Sequence, residues 1–140
     1  MGLEDKIDNP MKIKIMNFNV LHGFHTPETT PFEPPFKLND QRLKAGQEAV
    51  LAEDPDILVL TEACFGGLGF NGSRMDYQKL FGFPHYHYTQ TPGEWGYAVL
   101  SKFPITASEE NIQHFQPHIR TQLDVDGKTI TLDIAHPHPS

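Results

Sequence analysis

Glu62, Asn19 and His136 are the side chains of this sequence whose types and placement point to chemistry. Glu62 closes the stretch Asp54-Pro55-Asp56-Ile57-Leu58-Val59-Leu60-Thr61-Glu62, Asn19 lies near the end of Lys12 to Val20, and His136 follows Lys128 to Ala135. A carboxylate and an amide are hard oxygen donors of the kind Mg²⁺ prefers, with waters and a substrate phosphate completing its shell. A histidine beside them can donate to a phosphate oxygen or to a developing oxyanion. The three do not make a complete hydrolase, because no general base with an orienting partner accompanies them. Each also has a plainer reading. Glu62 alone could be a solvated carboxylate entering a loop, and Asn19 alone could mark a strand-to-turn exit.

The elements that must position these side chains make the joint reading stronger. Ile57 to Leu60 are four consecutive aliphatic residues with no polar face, after a Pro turn. Such a run reads as a strand buried on both sides, and the C-terminal ends of strands are where open α/β sheets place their ligands. In Lys12 to Val20, lysines alternate with Ile13 and Ile15, and Asn17 and Asn19 continue the isoleucine face. Asparagine is a poor strand former, and amides on a core-side face need partners or a ligand. Between the two strands, Leu21 to Leu38 carries Pro27, Pro31, Pro34 and Pro35 and reads as a long irregular loop, pinned by Phe32 and Phe36. Asn39 is placed to cap a helix with Asp40 in its first turn. Leu43, Gly46, Ala49 and Val50 give that helix an apolar face, and it ends before Pro55. Strand, helix, strand is a βαβ unit with parallel strands and a right-handed crossover. It brings Asn19 and Glu62 to the same end of one sheet, which a solvated loop glutamate does not predict.

Further along, Cys64 to Gly72 holds four glycines without a nucleotide-binding spacing and reads as a flexible loop. Ser73 is placed to cap a short helix through Leu80. His85 to Thr89 alternates as a strand, Thr91 to Glu94 is a turn, and Gly96 to Ser101 is another strand. Ile119 to Val125 and Lys128 to Ala135 flank Asp126-Gly127, the strongest hairpin signal in the chain. Its second strand delivers His136.

One hundred and forty residues suit one modest domain. The net charge of −7 argues against a nucleic-acid footprint spread over the whole surface. It leaves room for a local basic groove, and metal-binding carboxylates add to the acidity. Residues 1–10 read as a polar tail without a signal-peptide core. No apolar run approaches the ~18–20 residues of a membrane span. The single cysteine, Cys64, gives no internal disulfide. A cytoplasmic location is the expectation.

At this point the residues resemble a family. Lys12-Ile13-Lys14-Ile15-Met16-Asn17-Phe18-Asn19-Val20-Leu21-His22-Gly23 is similar to the opening strand of the endonuclease/exonuclease/phosphatase superfamily. Asp54 to Glu62 resembles its Pro-Asp-Ile-hydrophobic-Gln-Glu strand, with Thr61 in the place of Gln. Gly96 to Ile105 resembles its Gly-hydrophobic-Leu-Ser-basic-x-Pro-Ile strand, and Thr131 to His136 the strand that ends in histidine in deoxyribonuclease-like and sphingomyelinase-like members. The four stretches come in family order. The resemblance implies an α/β fold, half of a four-layer α/β sandwich, with a mixed sheet carrying helices on one face over residues 11–140. It implies metal-dependent hydrolysis of a phosphoester: nucleic acid, inositol phosphate or a phospholipid head group. By the same resemblance Glu62 is the Mg²⁺ ligand (Mn²⁺ being the alternative ion), Asn19 holds the phosphate or the metal shell, and His136 binds a phosphate oxygen. Family domains are built as two similar halves, the second with an Asp-x-Asn and a Ser-Asp-His motif. Neither motif occurs in these 140 residues.

Two other readings compete. His85 with His87, and His136 with His138, are i, i+2 pairs that place both rings on one strand face, a start for a zinc site. Alternatively, the chain is a non-catalytic half-domain that associates with a second chain or a missing C-terminal half. A sheet built to pack on an absent second sheet would expose its apolar inner face.

Overall fold

A computed structural model of the protein describes residues 12–20, 22–27, 36–64, 75–90, 95–113 and 116–135. The elements are β1 (Ile15–Asn19), a tight turn at His22–Phe24, β2 (His25–Pro27), β3 (Phe36–Leu38), α1 (Asp40–Glu53) and β4 (Ile57–Cys64). They continue with α2 (Tyr77–Phe81), β5 (His85–Gln90), β6 (Trp95–Ser101), β7 (Ile105–Gln113), β8 (Gln116–Val125) and β9 (Lys128–Ala135).

The βαβ unit forms as its sequence dictates. Asn39 caps α1, its side chain accepting from the Arg42 N–H at 3.1 Å. Asp54 ends the helix in a left-handed conformation, its own N–H donating to the Val50 carbonyl at 2.8 Å, just before Pro55. β1 and β4 then lie side by side and parallel, with Asn19 opposite Thr61. β6 pairs antiparallel with β4, and β5 with β6, giving a mixed sheet of order β1-β4-β6-β5. β4 runs two residues past the expected strand end at Glu62, to Cys64.

β4 is buried on both faces, and its alternation sorts two cores. Leu58 and Leu60, with Ala98 and Leu100 of β6, pack under the helices against Val50, Tyr77 and Phe24. Ile57 and Val59, with Tyr97 and Val99, pack on the other face against Ile119, Leu123, Val125 and Ile134 of a second sheet, β7-β8-β9. Helices therefore cover one face of the mixed sheet and a second sheet covers the other. This corrects the expectation of a bare inner face at β4 and β6: the same chain supplies the cover, through the hairpin at Asp126-Gly127. Both turn residues have positive φ, 52° and 84°, as a tight right-twisted hairpin requires. β1 is less protected. Ile13 joins the inter-sheet core, but Ile15 remains 49% exposed and Asn17 and Asn19 are exposed.

Three local expectations change. The Pro-rich loop is partly ordered by β2 and β3, which pair antiparallel from His25–Leu38 to Pro27–Phe36. The second helix starts at Tyr77 with Asp76 at its N-cap, while Ser73 lies outside the described residues. β7 was not predicted, because its polar run Ser108-Glu109-Glu110-Asn111 shows no apolar alternation. No helix among the described residues is long and apolar enough to cross a membrane.

Candidate metal and phosphate site

Asn19 reaches its place through the turn that follows it. The Val20 N–H donates to the Thr61 carbonyl at 3.0 Å, extending the ladder one residue beyond Asn19. The Phe24 N–H donates back to the Val20 carbonyl at 2.8 Å, and the Phe24 carbonyl accepts from the Asn39 N–H at 2.9 Å. Gly23 and Phe24 both have positive φ, which doubles the chain back sharply. The Phe24 ring is buried near Phe18 and Phe81, each with ring centroids 6.1 Å away, and against the bare Cα of Gly46 on α1. The end of β1 is thus tied to its neighbouring strand and to the helix.

Glu62 is placed by a bulge. Thr61 faces Tyr97 across the β4–β6 ladder and Ala63 faces Gly96, so Glu62 is the extra residue between two pairs. Thr61 keeps the inter-sheet side with Ile57 and Val59, and Ala63 returns to the helix side with Leu58 and Leu60. Glu62 absorbs the mismatch with φ of 56°, a conformation that costs a non-glycine residue on the order of 1–3 kcal/mol. Bulges of this sort re-aim one side chain and recur beside active sites. Its Oε2 is shielded from solvent. The carboxylate is electrically close to Tyr97, whose hydroxyl is pushed up to about 12, first by burial and then by the negative charge of Glu62.

The structure therefore brings Asn19 and Glu62 onto adjacent parallel strands at one end of the sheet. His136 and His138 lie outside the described residues, although β9, which runs to Ala135, is in the second sheet. Of the other pair, His87 is engaged, its Nε2 lying 2.8 Å from Glu110 Oε1 of β7. Among the described residues no three His, Cys, Asp or Glu side chains gather as a metal cage. One shielded carboxylate and one neighbouring amide fit a small hard cation that keeps most of its waters, which is how Mg²⁺ is usually held.

What the sequence did not reveal is the polar row that runs across the sheet at this level. Asn19, Thr61, Tyr97 and Thr89 are successive cross-strand partners on β1, β4, β6 and β5. Thr61, Tyr97 and Thr89 are buried. Thr89 Oγ1 donates to Glu110 Oε1 at 2.7 Å, which links the row to the second sheet. The signal available was register: once β6 is paired to β4, Tyr97 must stand beside Thr61.

The chain resembles known proteins in fold and in sequence family. No curated protein sequence matches the chain. Among solved structures it is similar to an endonuclease/exonuclease/phosphatase from Beutenbergia cavernae, with TM-score 0.61 and 17% identity over 89% of this chain and 38% of that one. It is also similar to truncated Caenorhabditis elegans TDP2, with TM-score 0.56 and 20% identity over 71% of this chain and 40% of that one. A humanized D. rerio TDP2 gives TM-score 0.56 and 15% identity over 72% and 44%. The chain thus spans less than half the length of these structures, and likeness at such identity speaks for the fold. Residues 16–140 match the model of the Endonuclease/Exonuclease/phosphatase family. The chain belongs to that family, whose members are in general metal-dependent phosphoester hydrolases.

Proposed function

We propose that this chain carries the metal- and phosphate-binding part of a phosphoester hydrolase of the endonuclease/exonuclease/phosphatase type. The observation that supports it best is the bulge that presents Glu62 beside Asn19 on the parallel neighbour. In this reading Glu62 is the ligand of Mg²⁺, with Mn²⁺ as a substitute. Asn19 holds the phosphate or the hydration shell of the ion, and His136 donates to a phosphate oxygen. The bound ion supplies charge stabilisation at the phosphoryl group and an acidified water. The substrate class is a phosphoester: nucleic acid, inositol phosphate or phospholipid head group. In this reading residues 11–140 supply the metal- and phosphate-binding portion of the family domain, and the location is cytoplasmic.

The reading includes a division of labour. The 140 residues hold neither an Asp-x-Asn nor a Ser-Asp-His motif, and a general base alone typically contributes ~10²–10⁴-fold in rate. Hydrolysis of bis(p-nitrophenyl) phosphate by the 140-residue chain with Mg²⁺ or Mn²⁺ should therefore stay near background. It should rise when a polypeptide carrying the two motifs is added, and that rise should vanish in Glu62→Gln. Robust turnover by the 140-residue chain alone would refute the division of labour. Turnover that survives Glu62→Gln would refute the site.

A further inference from the structure

We propose that Tyr97 is the positioning residue that fixes the Glu62 carboxylate; the inference rests on the reading of Glu62 as a metal ligand. Glu62 is the inserted residue between the Thr61–Tyr97 and Ala63–Gly96 pairs. Of the two β6 residues that flank it, Gly96 has no side chain, so Tyr97 is the flanking residue that has one.

Tyr97 is itself held still. It is 4% exposed and packs in the inter-sheet core with Val99, Ile119 and Leu123. On its far side stands Thr89, 2% exposed, whose hydroxyl is anchored on Glu110 of the second sheet, with His87 on the same carboxylate oxygen. A buried tyrosine hydroxyl needs a polar partner, and the charge of Glu62 is felt at this hydroxyl. An inserted residue with positive φ has no ladder register of its own to orient its side chain. A rigid phenol on the flanking residue, close enough for its hydroxyl to feel the carboxylate's charge, would supply that orientation. A hydrogen bond to a charged group is also stronger than a neutral one.

The test is Tyr97→Phe, which keeps the ring in the core and removes only the hydroxyl. Two readouts are taken on the 140-residue chain: Mg²⁺ affinity by calorimetry, and the Glu62 side-chain rotamer from its Hα–Hβ couplings. Mg²⁺ binding should weaken about tenfold, the scale of one hydrogen bond to a charged group. The couplings should move from a single rotamer toward averaged values. Tyr86→Phe, a change at an exposed tyrosine on β5, should leave both readouts unchanged. A purely structural role for Tyr97 would shift thermal stability and leave both readouts as in the parent, which would overturn the inference. If Glu62→Gln abolishes Mg²⁺ binding and Tyr97→Phe does not weaken it, the inference fails and the metal site stands. If the parent binds no Mg²⁺ and the couplings still average in Tyr97→Phe, the metal reading fails and the positioning contact stands.

Discussion

Replacing Glu62 with Gln removes one negative charge and keeps the side chain's shape. Two opposite effects should follow. For the ion, a pair of unit charges about 4 Å apart at an effective dielectric constant of about 20 interacts by about 4 kcal/mol. The cation is divalent, but the waters it keeps screen part of that. With about 1.4 kcal/mol per tenfold, the loss in Mg²⁺ affinity should be roughly 10²–10³-fold. For the fold, the change should be neutral or mildly favourable. Oε2 of Glu62 is shielded from solvent, and taking a charge out of water costs more than taking out a neutral amide of the same shape. Gln inherits the positive φ unchanged, so the backbone strain cancels in the comparison.

Calorimetric titration with Mg²⁺ reads the first effect and thermal unfolding without metal reads the second. Tm should hold or rise by about 3 °C, the scale of 1 kcal/mol in a domain of this size. Affinity within twofold of the parent would remove Glu62 from the site. A fall of several degrees in Tm would show that the negative charge itself holds the fold together, and that the bulge serves packing.

Two further perturbations test the frame around the site. In Gly46→Ala the new Cβ would lie 2.8 Å from Phe24 Cε1 and 3.0 Å from Cζ; overpacking by about 1–3 kcal/mol should outweigh the helix-propensity gain of about 1 kcal/mol, lowering the urea midpoint. At Glu110 burial pushes the carboxyl pKa up, but hydrogen bonds from Thr89 and His87 and the charge of His87 bring it below its ordinary 4.5. A depressed carboxylate stabilises the fold above that value and loses its contribution as pH falls through the lower folded value, so Glu110→Gln should flatten the acid limb of the stability profile below pH 4.5.

The pairing of Asn19 with the β4 end was legible because a βαβ crossover leaves little freedom. Once Asn39 caps the helix and Pro55 stops it, the second strand must return parallel beside the first. The Asp126-Gly127 hairpin was legible for a similar reason, since its turn residues demand positive φ. The bulge was not legible: the apolar run Ile57 to Leu60 passes into Thr61 and Glu62 as an ordinary strand end would, and nothing in the spelling marks Glu62 as inserted. That is visible only when Thr61 and Ala63 are each matched to β6. The polar row had the same obstacle, since Thr89 and Tyr97 gain meaning only from cross-strand register. β7 was missed because Glu110 is paired by side chains of β5 rather than by apolar packing. The sheet cover was not legible because the hairpin signal fixes β8 against β9 but does not say on which sheet their apolar face packs.

That cover carries the last prediction. Ile57, Val59 and Val99 bury their side chains against β8 and β9. Each such side chain left exposed forfeits about 1.5–3 kcal/mol. Three of them amount to several kcal/mol, comparable with the ~5–15 kcal/mol that holds a whole domain together. The mixed sheet therefore cannot persist with the second sheet detached, and the two should open as one cooperative unit. Leu123 is fully buried at their junction, and Leu123→Ala should cost about 2–5 kcal/mol. In native-state hydrogen exchange, amides of β4 and β6 should lose protection by the same free energy as those of β8, although the substitution lies on another sheet. Unchanged protection in β4 and β6, with β8 and β9 opening alone, would show two independent units. Tyr97, whose core spans the junction, would then have no fixed support from which to hold Glu62.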